Sequence, residues 1–192
     1  ILNHLSYHFN VPVWIGRLVT RDAKHEVQYV EYYSPHAPVQ LSSNILQEVH
    51  SELDPIYALY REALNSQSPH YRMLCFYKIL EGIFGSLRPR IRKQAAKAGI
   101  ILEKQDELVP SDQDIPDRLK AWVGKSVTEF YNKILTRQFR DAVAHFTLRD
   151  TGVLHLGRPD HVRAFAEIVR ACEICARVVI ANHERDISRL TA

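Results

Sequence analysis

Phe165-Ala166-Glu167-Ile168-Val169-Arg170-Ala171-Cys172-Glu173-Ile174-Cys175-Ala176-Arg177-Val178-Val179 is the stretch that decides the fold. Phe165, Ile168, Val169, Cys172, Cys175, Ala176 and Val179 recur at i, i+3, i+4 and i+7, the spacing of one buried helical face. Arg158-Pro159-Asp160 supplies the start, and the helix is expected to run to about Ser188. The same register decides the chemistry of Cys172-x-x-Cys175. Both thiols fall on the apolar face, no second Cys or His pair stands nearby at ligand spacing, and no Gly or Pro turn frames the pair. They read as core residues, and with Cys75 the three cysteines are too few for a disulfide framework.

Upstream, Ser126 opens a helix with Val127, Phe130, Tyr131, Ile134 and Leu135 on its buried side, preceded by a helix start at Asp114-Ile115-Pro116 and an inward-facing Trp122. Ile100 to Asp114 is acidic and loop-like. Ser68-Pro69 opens another helix, lined by Met73, Phe76, Tyr77, Leu80, Phe84 and Leu87, which Pro89 is expected to end. Before it, Ser42 or Ser43 caps a helix to about Leu64, with Ile45, Val49, Leu53, Ile56 and Leu59 along it and a kink at Pro55. The first forty residues differ. Val11–Val19 and Glu26–Tyr33 are rich in β-branched and aromatic residues around a polar turn, so a hairpin is expected. The reading is an all-α bundle of four or five main helices, residues 41–192, with a small β element or the remnant of an upstream domain at 1–40. Because the chain begins at Ile1, an upstream segment is expected.

The helix that starts at Ser126 leads into Arg140-Asp141-Ala142-Val143-Ala144-His145, a permanent cation, a carboxylate and an imidazole within six residues. A metal-independent ribonuclease needs those parts. An imidazole exchanges protons with a ribose 2′-hydroxyl or a leaving 5′-oxygen near neutral pH, and a guanidinium holds the phosphate as its charge grows. Asp141 and His145 are i and i+4, so the carboxylate can fix the imidazole tautomer. Arg140 and His145 stand roughly 140° apart around an ideal helix. Aiming both at one phosphate requires a loosened helix end or a second chain. None of the other histidines has comparable spacing, and His4, His8, His155 and His161 read as surface or loop residues.

Arg88, Arg90, Arg92, Lys93 and Lys97 place five cations in ten residues without an acid. The run is either a solvated helix end or, with Arg137, a surface for a phosphate backbone. Net charge +3 and a pI near 8.8 permit nucleic-acid binding without demanding it. No apolar run is long enough to span a membrane and no signal peptide is evident, so a cytoplasmic protein is expected.

Arg, a polar residue, three more residues and His resembles the signature of HEPN domains, helical bundles many of which cut RNA. Asp141 stands where Asn is commonest in that pattern. Tyr71-Arg72-Met73-Leu74-Cys75-Phe76-Tyr77-Lys78-Ile79-Leu80-Glu81, with the motif far downstream, is similar to the Apea-like and methylamine-utilisation-J-like branch, over the last two thirds of the chain. The resemblance implies that Arg140 and His145 form the catalytic pair of a ribonuclease assembled at a homodimer interface, with Asp141 orienting His145 and neither metal nor cofactor. RNA is the implied partner, the products ending in 2′,3′-cyclic phosphate and 5′-hydroxyl, in a setting of bacterial defence, toxin or stress proteins. Glu81 is either a solvated edge residue or the acidic residue that many such bundles hold near the site, with Arg140 as its partner. The alternatives are a non-catalytic module for RNA binding or dimerisation, and an accessory protein of a metabolic operon.

Overall fold

The computed structural model describes residues 2–12, 17–22, 27–32, 50–145, 147–148, 152–153 and 158–191. They form two compact units, Ile1–Asn65 and Ser66–Ala192. The second is an all-α bundle built on the stretch quoted first.

In the first unit α1 (Leu2–Phe9) packs on α2 (Asp54–Asn65) through aromatic rings. Tyr7 stacks on Tyr57 at 5.1 Å and meets Tyr60 edge-on at 5.3 Å, and Tyr60 Oη donates to Asn10 Oδ1 at 2.6 Å. His4, expected at the surface, is buried with its ring edge-on to Tyr57. β1 (Arg17–Asp22) pairs antiparallel with β2 (Val27–Tyr32), from Arg17↔Tyr32 to Asp22↔Val27. Val13-Trp14-Ile15-Gly16 and the helix start at Ser42 or Ser43, with Ile45 and Val49, lie outside the described residues. Pro55 does not kink a helix. A short 3₁₀ turn, Ser51–Leu53, leads into α2, and Pro55 is its second residue, where a missing N–H costs nothing. The composition change near residue 40 does not coincide with the edge of this unit, because α2 packs on α1.

In the second unit α3 (Pro69–Gly82) starts as expected, with Ser68 Oγ accepting from the Tyr71 N–H at 3.4 Å. Pro89 was expected to end this helix, and it does not. Ile83–Leu87 is a wide π turn, in which the Arg88 N–H reaches back five residues to the Ile83 carbonyl, and α4 (Arg88–Ala98) continues beyond it. Opening the turn makes room for the proline ring, and Pro89 stands directly after it as the second residue of α4. Gly99, at φ 71°, closes α4 in the left-handed conformation that glycine adopts without penalty.

Residues 100–116 form an extended strap. It leads to α5 (Asp117–Lys120), and a bridge between Leu108 and Ser126 ties it to the start of α6 (Val127–Phe130). A second π segment, Tyr131–Arg140, follows α6 and passes into α7 (Asp141–His145). Then β3 (Thr147–Leu148) pairs with β4 (Gly152–Val153), and α8 (Pro159–Thr191) returns along the bundle. Of the extended stretch expected at Val153-Leu154-His155-Leu156, Val153 is in β4 and the rest lies outside the described residues.

All seven apolar positions read from α8 are buried, both of its cysteines among them. Burial pushes the Cys175 thiol up to about 12 and the Cys172 thiol well above its ordinary value, so both stay protonated and unreactive. α8 is buried over a wide arc because α3, the π turn and α4 all pack on it.

The acidic strap is bonded to this frame. Asp112 accepts from Arg170 at 2.6 and 3.3 Å, Gln105 accepts from Arg185 at 3.2 Å, and Glu103 pairs with Arg189 at 2.9 Å. The Arg170 guanidinium holds the Asp112 carboxyl below its ordinary value.

Candidate functional site

The predicted motif falls at the junction of the π segment and α7. Arg140 is the last residue of the wide turns, with the Asp141 N–H reaching back five residues to the Thr136 carbonyl. From Asp141 to His145 the helix is α, so the roughly 140° divergence expected between Arg140 and His145 stands at the level of the backbone. The loosening lies upstream of the pair rather than between them. The side chain of His145 lies outside the described atoms.

Arg140 is about one-third exposed, and its Nη1 donates to Asp141 Oδ1 at 3.0 Å. Asp141 was expected to orient His145. The described geometry gives its Oδ1 to the adjacent Arg140, and a bond from Asp141 to His145 falls outside the described atoms. Bonding to Asp141, with the charges of Asp141 and Glu81 and the oxygen of Tyr77 nearby, strengthens the hold of Arg140 on its proton. Glu81 is half-buried and accepts from Lys78 Nζ at 2.6 Å, so its direct partner is on its own helix. Its charge still acts on Arg140.

Beside this pair stands a chain of hydroxyls that the sequence reading placed only on buried faces. Tyr131 Oη donates to Tyr77 Oη at 2.9 Å, with the rings stacked at 5.0 Å, and Tyr77 Oη lies 3.4 Å from Thr136 Oγ1. Burial, and then the Tyr77 bond, raise the pKa of Tyr131 far above the ordinary phenol value, so it is neutral. The available signal was the use of tyrosine twice in apolar stripes where phenylalanine fills the same volume.

The basic run divides. Arg88 is buried against Glu107 Oε2 at 3.0 Å and Glu107 Oε1, with its guanidinium 4.9 Å over the Phe84 ring. Its charge is paired within the bundle, with little of the side chain exposed. Arg92 is on the same side of α4, lining a cavity of about 320 Å³ with Asp186, whose carboxyl burial raises despite the arginines around it. Arg90, Lys93 and Lys97 share the opposite, exposed stripe, being three and four residues apart. Arg137 is exposed on the π segment.

Two histidines expected to carry nothing are placed together. His70 and His161 are both buried, and His161 acts electrostatically on His70. The His70 ring lies 4.2 Å from Phe165, which takes Phe139 edge-on at 5.1 Å, one residue before Arg140. His161, placed at the surface by the sequence reading, is buried because the first turn of α8 packs inward. Among the described residues no three His, Cys, Asp or Glu side chains are grouped to hold a metal ion, and no helix is long and apolar enough to cross a membrane.

Neither a curated protein nor a solved structure matches the chain. A family model does, that of the methylamine utilization protein MauJ, over residues 56–181. The match takes in α3, the strap, the motif and most of α8. The chain belongs to the MauJ family, in the HEPN-like branch.

Proposed function

We propose that this chain is a metal-independent endoribonuclease of the HEPN type, working in the cytoplasm as a homodimer. The observation that carries the reading is Arg140, a guanidinium about one-third exposed and held by Asp141 at the last wide turn before His145. In this reading Arg140 binds the phosphate and takes up the charge that develops on the phosphorane. His145 removes the proton of the 2′-hydroxyl or delivers one to the leaving 5′-oxygen. The 2′-oxygen bonds to phosphorus as the bond to the 5′-oxygen breaks, leaving a 2′,3′-cyclic phosphate and a 5′-hydroxyl. Arg90, Lys93 and Arg137, exposed in the bundle, supply salt-sensitive contacts to the RNA backbone.

The test is incubation of total RNA with the full chain and with His145→Ala, in chelator. The reading expects cyclic-phosphate ends from the wild type alone. Equal cleavage by both, or strict dependence on magnesium with 5′-phosphate products, overturns it.

A second reading is favoured by the Arg140–Asp141 bond, which engages the carboxylate assigned to His145. The bundle then serves as a non-catalytic RNA-binding or dimerisation module, or as an accessory protein in methylamine utilisation. RNA bound and left uncut by wild type and variant alike supports it.

A further inference from the structure

Thr136 carries a side-chain bond that exists because the helix between it and Tyr131 is wide. Thr136 Oγ1 donates to the Tyr131 carbonyl at 3.0 Å, five residues back, where threonine in an α-helix reaches only three or four. Tyr131, the first residue of the π segment, donates its own hydroxyl to Tyr77 of α3. With Tyr131 and Thr136 both spending their protons in this way, Tyr77 is the acceptor that ends the chain, and its own proton points to Thr136 Oγ1 across 3.4 Å. Tyr77 is buried, so water does not replace this bonding.

Long π segments are uncommon because the wide turn bonds less well, and one of ten residues needs something to hold it. Arg140 ends that segment. Loss of one wide turn shifts the helix phase by a residue, about 100° of rotation. Such a change carries Arg140 away from the face of α3 where Tyr77 and Glu81 stand one turn apart.

We infer that Tyr77 is a positioning residue: through Tyr131 and Thr136 its buried hydroxyl locks Tyr131–Arg140 in the wide-turn register and so sets where the Arg140 guanidinium meets an RNA phosphate. The last clause rests on the nuclease reading, and the register lock does not. Tyr77 touches no substrate. Its hydroxyl acts on the reaction only through the helix.

The test uses ¹⁵N-labelled full chain as wild type, Tyr77→Phe, Thr136→Val and, as a control on the exposed side of α3, Tyr71→Phe. The amide resonances of residues 131–141 and the Arg140 Nε resonance report the register, and single-turnover cleavage reports the chemistry. In Tyr77→Phe and Thr136→Val the Asp141 amide and Arg140 Nε signals move. Cleavage in both falls by about tenfold to a hundredfold, the cost of misplacing a reacting group by an ångström, while RNA affinity holds. Tyr71→Phe changes neither. Unmoved Asp141 and Arg140 signals in either folded variant overturn the lock, as does lost cleavage with unmoved signals. A wild type that does not cut RNA sinks the nuclease reading alone, since the resonances still decide the register.

Discussion

The Glu107 carboxylate grips the Arg88 guanidinium with both oxygens, Oε2 at 3.0 Å from Nη1, and Asn182 Nδ2 of α8 donates to the same carboxylate at 3.4 Å. One side chain of the strap thus joins α4 to α8. Little of the pair is exposed, so neither charge finds water if the other is removed.

Glu107→Ala is therefore expected to cost about 3 kcal/mol, the penalty of stranding a buried cation. Arg90→Ala and Lys93→Ala, on the exposed stripe, are expected to change stability by less than about 0.5 kcal/mol while weakening RNA binding in a salt-dependent way. Urea unfolding and titration of RNA at two salt concentrations check both. A stable Glu107→Ala protein, or an Arg88→Ala protein that loses only RNA affinity, contradicts the division of the basic run.

The helices were legible where one physical signal dominated. The α8 stripe and the Ser68 cap each follow from a local rule. Pro89 was misread because the sequence states what a proline forbids in an α turn and is silent about a wide turn that accommodates it. The π segment at 131–140 was invisible for the same reason, since Val127, Phe130, Ile134 and Leu135 fit an α stripe equally well. The motif was legible as residue types, but the bond from Arg140 to Asp141 was not, because sequence spacing ranks i+4 neighbours above adjacent ones. Ile180, off the apolar stripe of α8, is buried as well, because helices pack on more than one side of α8.

Asp141 gives a second prediction. Its bond to Arg140 is accepted at Oδ1, and an asparagine side chain offers an acceptor oxygen at the same position. Asp141→Asn is expected to keep RNA cleavage within a few-fold of the wild type, and Asp141→Ala to lower it by about ten- to a hundredfold. Neither changes thermal stability by more than about 0.5 kcal/mol at this part-exposed position. Equal rates in all three proteins show that Asp141 does not hold Arg140 for chemistry.

The divergence of Arg140 and His145 around the helix leads to a third. If each chain presents only one of the two well, a two-fold dimer is the simplest way to complete a site. Arg140→Ala and His145→Ala proteins, each inactive alone, are expected to recover part of the cleavage when mixed and allowed to exchange subunits. Light scattering at micromolar concentration is expected to report a dimer. No recovery from a mixture proven to contain heterodimers rules out the composite site.

His70 makes the last prediction, on pH. Burial, and then the nearby His161, lower its pKa below the ordinary imidazole value. Its Nε2 is buried without a hydrogen-bond partner, so a proton taken up there is poorly solvated. The folded protein holds His70 neutral, whereas the unfolded chain protonates it at about pH 6.5. Below that value the unfolded state binds the additional proton first, and linkage makes stability fall as pH falls. The contribution is complete above pH 6.5 and is lost downward from there until His70 also titrates in the folded state. His161 and Asp160 face the same region, and Asp160 stays ionised because Arg158 and the helix start hold its carboxyl at about 2. The slope between pH 7 and pH 5 is therefore assigned to His70 and not to that carboxylate. Replacing His70 with Gln removes a titrating group while keeping a polar side chain of similar reach. The variant is expected to lose less stability than the wild type between pH 7 and pH 5, measured by urea unfolding across that range. Parallel profiles for the two proteins would show that His70 is not the group that sets the acid limit of the fold.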